Sequence, residues 1–134
     1  MSIFSKILAG EIPAEIVYQD QDFFAILDIF PSAPGHLLLM PVKQYPNYLE
    51  MPERDYTEIM LLARNMAKLL KQVYQADFVI LKIIGTDIMD HLHIHLIPIH
   101  KGQRQLDQDK PVALEDLKPE ADKIRNAFSD LIVS

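Results

Sequence analysis

Asp90-His91-Leu92-His93-Ile94-His95-Leu96-Ile97-Pro98 sets three of the chain's five histidines at alternate positions. An extended strand sends successive side chains to opposite faces. Leu92, Ile94 and Leu96 are therefore predicted to face a core, with His91, His93 and His95 in a row on the other face. A merely solvated face has little use for such a row, since neutral imidazole gains nothing from water that Thr or Lys would not. A shared metal ion is a second reading. It meets a geometric limit, because the Cα atoms of His91 and His95 would lie roughly 13 Å apart at a strand's rise per residue. Nucleophilic catalysis at phosphorus is the third and preferred reading. A free-base imidazole attacks phosphorus at neutral pH, provided one ring nitrogen faces the phosphorus and the other is held by a hydrogen bond. Neighbouring donors must also meet the phosphate oxygens. His93, flanked by His91 and His95, would supply those parts in one short segment.

The rest of the chain must position that row. Its 134 residues suit one domain, read here as residues 1–134, with 49% hydrophobic and 24% charged residues. The formal charge of −6 argues against a general nucleic-acid binder, and the short apolar runs argue against a membrane span. The absence of cysteine excludes disulfides, thiolate catalysis and cysteine-bound metal. No leader segment is visible, and a soluble cytoplasmic protein is expected.

Phe4 to Leu8 reads as a short helix that Gly10 can end in a left-handed cap. Ile16-Val17-Tyr18, Phe23 to Leu27 and His36 to Met40 read as strands separated by turn residues. From Glu53 to Gln75 the apolar residues Ile59, Leu62, Ala63, Met66, Leu69, Leu70 and Val73 recur at helical spacing, with Pro52 suited to the first turn. Phe78 to Ile84 and Asp90 to Ile97 are further strands, and Pro119 is expected to open a last helix within a C-terminal segment of about 113–132. The prediction is an α+β fold: a mainly antiparallel five-stranded sheet, with one long helix and shorter terminal helices on one side.

With these residues in view, the chain resembles the histidine triad (HIT) family of nucleotide hydrolases and transferases. His91-Leu92-His93-Ile94-His95-Leu96-Ile97 carries its signature of three histidines alternating with apolar residues. Ile3-Phe4-Ser5-Lys6-Ile7 with Gly10-Glu11-Ile12-Pro13-Ala14, Phe24-Ala25-Ile26-Leu27-Asp28-Ile29, and Ala33-Pro34-Gly35-His36 resemble further family blocks, in the family's order over residues 2–104. The resemblance implies that His93 is the nucleophile. It would take the nucleotidyl group at its α-phosphorus and then yield it to water as a nucleoside monophosphate. His95 would contact phosphate oxygens and the leaving group, His91 would support the site, and His36 would buttress it from the neighbouring strand. Asp28 would bind the ribose hydroxyls (its simpler reading is a turn cap before Pro31). Phe4, Ile7 and Ile29 would surround a purine base, as in AMP, though each is also an ordinary core residue. A homodimer joined through a helix and a strand is implied as well.

The chain departs from the family in two places. Many bacterial members hold a structural zinc with Cys-x-x-Cys and a further histidine, where this chain has Ser2, Ser5 and Gln44, so no metal and no cofactor is expected. The polar pair that contacts phosphate before the triad is replaced by Gly85-Thr86-Asp87-Ile88-Met89-Asp90. There Thr86 and backbone N–H groups are candidate donors, and Asp87 would repel a phosphate if turned inward. Lys101 and Arg104 are candidates for the outer phosphates of a longer substrate. The expected activity is release of a nucleoside monophosphate from a phosphoramidate or a dinucleoside polyphosphate. The alternative is a nucleotide-binding module of the same fold with little turnover.

Overall fold

A computed structural model describes residues 2–85, 90–103 and 110–133. The elements are α1 (Ile3–Leu8), β1 (Ile16–Gln19), β2 (Phe23–Leu27), β3 (Leu37–Pro41), a 3-10 turn (Tyr48–Glu50), α2 (Glu53–Val73), β4 (Phe78–Ile84), β5 (His93–Ile99) and α3 (Leu114–Val133). The strands form one sheet in the order β1-β2-β3-β5-β4, and every neighbouring pair is antiparallel. The α+β reading and the five-stranded antiparallel sheet are as expected. No helix among the described residues is long and apolar enough to cross a membrane.

Each strand of the β2–β3 hairpin is buried along all five of its residues, which requires cover on both faces. On one face Ala25, Leu27, Leu37 and Leu39 pack with Ile94 and Leu96 against α2 and α3. The stripe Ile59, Ala63, Met66 and Leu70 is the buried side of α2. On the other face Phe24, Ile26, Leu38 and Met40 are covered by Phe4 and Ile7 of α1. This corrects the expectation that all helices share one side. The strands β2 and β3 lack the polar alternation of a solvated face, and the N-terminal helix supplies the missing cover. Ser2 caps α1 by accepting the Ser5 N–H at 3.0 Å, and Gly10 follows it with φ +82°.

Several boundaries shift from the sequence reading, two of them for a visible reason. Pro119 lies inside α3, which begins at Leu114. Proline removes one helical hydrogen bond, but Leu117 before it and Ala121 after it are both buried in the core, and this packing carries the helix through. The strand β5 begins at His93 rather than Asp90, because the Leu92 N–H donates to the Tyr45 carbonyl at 2.7 Å and leaves the ladder. Register then decides the faces: Leu38 pairs with His95 and Leu39 with Ile94. His93 and His95 therefore share the α1 side of the sheet.

Candidate functional site

His93 is buried on that face, its ring between Phe4 and His95, with centroids 5.1 Å from each. Its Nδ1 lies 3.0 Å from the His91 carbonyl. A carbonyl only accepts, so Nδ1 carries the hydrogen and Nε2 keeps its lone pair. Burial lowers the His93 pKa against the opposing pull of that hydrogen bond and of Asp28, which favours the neutral ring.

The proton positions around His95 follow by the same reasoning. The Ser32 N–H donates to His36 Nδ1 at 2.9 Å, so a neutral His36 carries its hydrogen on Nε2. That Nε2–H donates to His95 Nδ1 at 2.8 Å. His95 must then hold its own hydrogen on Nε2, an atom that is buried without a hydrogen-bond partner among the described residues. Burial, reinforced by the charges of His36, His93 and Lys82, pushes the His95 pKa down to about 4. Burial also lowers His36, with Asp28 opposing and Lys82 assisting. His93 and His95 thus present an unprotonated Nε2 beside a donating Nε2–H.

The turn ahead of His36 is tightly held. Gly35 has φ +84°, and a Cβ there would lie 2.5 Å from the Tyr74 ring, so only glycine fits. Asp28 is fixed opposite, its N–H donating to the His36 carbonyl at 3.0 Å. Asp28 Oδ1 accepts the Phe30 N–H at 2.8 Å, while Oδ2 lies 3.5 Å from His36 Nε2 and 3.9 Å from His95 Nδ1. The carboxylate is therefore a turn cap through one oxygen and faces the histidines with the other.

A pocket of about 310 Å³ opens on these groups. It brings together Phe4, Ile7, Asp28, Ile29, His93 and His95, all named from the sequence. His36 stands behind His95 and does not line it. Ile12, Pro13, Ala14 and the exposed Ile3 and Phe30 line it without having been anticipated. Ile3, Ile12, Pro13 and Ala14 stand in blocks that resemble the family, and Phe30 only adjoins Ile29. Thr86, Asp87 and Arg104 lie outside the described residues. Lys101 is set apart from the site: its N–H bonds Asp77, and it follows Ile99, itself about 13 Å of strand beyond His95.

His91 departs from the expected row. It is fully buried, and its Nε2–H donates to the Pro41 carbonyl at 2.8 Å. Its Nδ1 accepts from Ser2 Oγ at 2.6 Å, which leaves no nitrogen for chemistry. Ser2, Ser5 and Gln44, at positions of the family's zinc ligands, do converge beside His91, since Ser2 also meets Ser5 Oγ at 3.1 Å and donates its backbone N–H to Gln44 Oε1 at 3.3 Å. Two hydroxyls and an amide offer no thiolate charge, so the residues do not fit zinc and a hydrogen-bonded cluster stands in its place. Asp28, His36 and His95 also have donor atoms within 4.8 Å of one another. A cation there would need the His36 Nε2 lone pair, forcing a hydrogen onto Nδ1 against the Ser32 N–H.

Comparison with known proteins agrees with this architecture. Residues 9–102 match the HIT domain. An uncharacterised HIT-like protein of Methanocaldococcus jannaschii is 34% identical over 110 residues, covering 79% of this chain and 84% of its own length. The adenosine 5′-monophosphoramidase of Saccharomyces cerevisiae is 35% identical over 100 residues, 72% of this chain and 61% of that protein. A crystal structure of a HIT-like protein involved in cell-cycle regulation from Bartonella henselae, with an unknown ligand, superposes with TM-score 0.85 at 33% identity, covering 94% and 95% of the two chains. By sequence signature, sheet topology and these likenesses, the chain belongs to the histidine triad (HIT) domain family.

Proposed function

We propose that the protein is a nucleotide hydrolase that releases a nucleoside monophosphate through a nucleotidyl-His93 intermediate. One observation carries the reading: two adjacent histidines, His93 buried and His95 partly buried, line one pocket with opposite proton inventories, His93 Nε2 free to attack and His95 Nε2–H free to donate. His93 Nε2 gives its lone pair to the α-phosphorus, and the bond to the leaving group breaks. The leaving atom keeps that electron pair and takes the proton from His95 Nε2. Water then attacks phosphorus and gives a proton back to His95, and the P–N electron pair returns to His93. The Nδ1–H of His93 stays on the His91 carbonyl throughout and steadies the charge that builds on the ring.

In this reading Asp28 Oδ2 accepts from the ribose hydroxyls, and Phe4, Ile7 and Ile29 flank a purine base. The substrate is a small AMP-like nucleotide in the cytoplasm. A second copy of the chain is taken to pair along β4, an edge of the sheet. Exposed Tyr56, Leu61, Phe78 and Leu81 lie on α2 and β4, three of them lining one groove. Light scattering should give twice the chain mass, and Leu81→Arg should return it to the monomer.

The deciding experiment is product analysis of wild type and His93→Ala with adenosine phosphoramidate and with diadenosine tetraphosphate. AMP release by wild type, lost in the variant, together with a nucleotidyl adduct in acid-quenched wild type, is the expected result. AMP binding without turnover of either compound would replace the reading with a nucleotide-binding module.

A further inference from the structure

Lys82 stands directly opposite His95 in the antiparallel ladder between β4 and β5. Paired residues of such a ladder point to the same face, with Cβ atoms about 4.5–5.5 Å apart. The Lys82 side chain therefore rises beside His95 on the face that carries His93, which pairs with Ile84 two residues along. Lys82 is exposed, and among the described residues its ammonium has no ion pair or hydrogen bond. Its charge is felt by both His36 and His95. On the paired residue lies the buried Nε2–H of His95, unpartnered among the described residues. A cation and this donor thus adjoin on the sheet face that carries His93 and His95.

Charge balance indicates what they receive. The four histidines of the site are held toward their neutral forms, and Asp28 adds a negative charge beside them. An anionic leaving group brings more negative charge to the same place. Lysine meets it as a mobile point charge on a flexible stem. Ammonia leaving from a phosphoramidate departs neutral and offers that charge nothing to neutralise.

We propose that Lys82 binds the outer phosphate oxygens of an anionic leaving group, so that the protein prefers nucleoside polyphosphates over phosphoramidates. The assignment rests on nucleotidyl transfer to His93 and adds the side from which the leaving group departs. The bridging oxygen keeps the electron pair of the broken P–O bond and takes the proton of His95 Nε2. Lys82 neutralises the oxygens beyond it.

The test compares wild type, Lys82→Met and Lys82→Arg on diadenosine tetraphosphate and adenosine phosphoramidate. Wild type should favour the tetraphosphate in kcat/KM. Lys82→Met should lose about tenfold on it, as for one charge-assisted contact, and stay within about twofold on the phosphoramidate. Lys82→Arg should retain the preference. A wild-type preference for the phosphoramidate, an equal loss on both substrates, or no loss on the tetraphosphate would overturn the proposal. Calorimetry in a His93→Ala background provides a readout that needs no turnover. There Lys82→Met should weaken ATP about tenfold and leave AMP nearly unchanged. A uniform change, or none, would overturn the assignment. That binding split with no hydrolysis by wild type would refute nucleotidyl transfer while leaving Lys82 as the polyphosphate contact.

Discussion

His91 and His95 flank the same residue in sequence, yet they occupy opposite kinds of environment. His91 is sealed under α1, with one nitrogen on Ser2 and the other on the Pro41 carbonyl. His95 has one nitrogen on His36 and leaves the other buried, protonated and, among the described residues, unpartnered. A histidine whose two nitrogens are both satisfied holds a structure together. One with a single polarised, unsatisfied nitrogen holds a proton ready for use. Residue type and spacing are the same on the two sides of His93, and the hydrogen-bond ledger separates the roles.

The sharpest way to break this comparison is to remove the group that sets the His95 proton. His36→Ala should lower kcat about 10²-fold or more by freeing the His95 tautomer, with little change in KM. Steady-state kinetics would check it, and an unchanged kcat would dissolve the relay from Ser32 through His36 to His95.

Acid should act next, on all four histidines together. Each has its pKa lowered in the folded protein, His95 to about 4, against about 6.5 in the unfolded chain. Below pH 6.5 the unfolded chain takes up protons that the folded one refuses. Their contribution to stability is therefore complete above pH 6.5 and lost progressively as pH falls toward the folded-state values. Denaturant midpoints between pH 7 and pH 4 should fall accordingly. The acid limb of kcat/KM, set by neutral His93, should lie below pH 6.5.

His91→Ala should reverse the pattern of His36→Ala, costing about 2–4 kcal/mol of stability from the cavity and the stranded Pro41 and Ser2 partners. The folded fraction should keep its kcat within about tenfold, since the carbonyl that holds His93 belongs to the backbone. Thermal unfolding and kinetics on the same preparation would separate the two effects. The smallest expected effect is that of Ser2→Ala, about 1 kcal/mol from loss of the α1 cap with kcat nearly intact.

Much of the fold was legible because it is local. The runs Phe23–Leu27 and Phe78–Ile84 are bounded in the structure as their residues suggest, and the stripe from Ile59 to Leu70 marks the buried side of α2. The position of the proposed nucleophile was legible too, since His93 sits on a strand whose alternation holds from that residue onward. The place of α1 was not legible, because a six-residue helix says nothing of which sheet face lacks cover. Nor was Lys82 legible: period-two alternation puts it on a face, but only the pairing of β4 with β5 sets it opposite His95.

The sequence by itself determined that His93 and His95 would share one face of a strand in a small α+β domain. Backbone geometry and apolar periodicity act over a few residues, and they needed nothing more. Which imidazole keeps a lone pair toward the pocket, which carries an N–H there and which has both nitrogens bonded was decided by the tertiary structure. The partners that place each proton come from far along the chain: His36 lies 59 residues from His95, Pro41 lies 50 from His91, and Ser2 lies 89 from His91. A hydrogen bond is directional and short, so it registers only the final packing that brings those groups within 3 Å or so of one another.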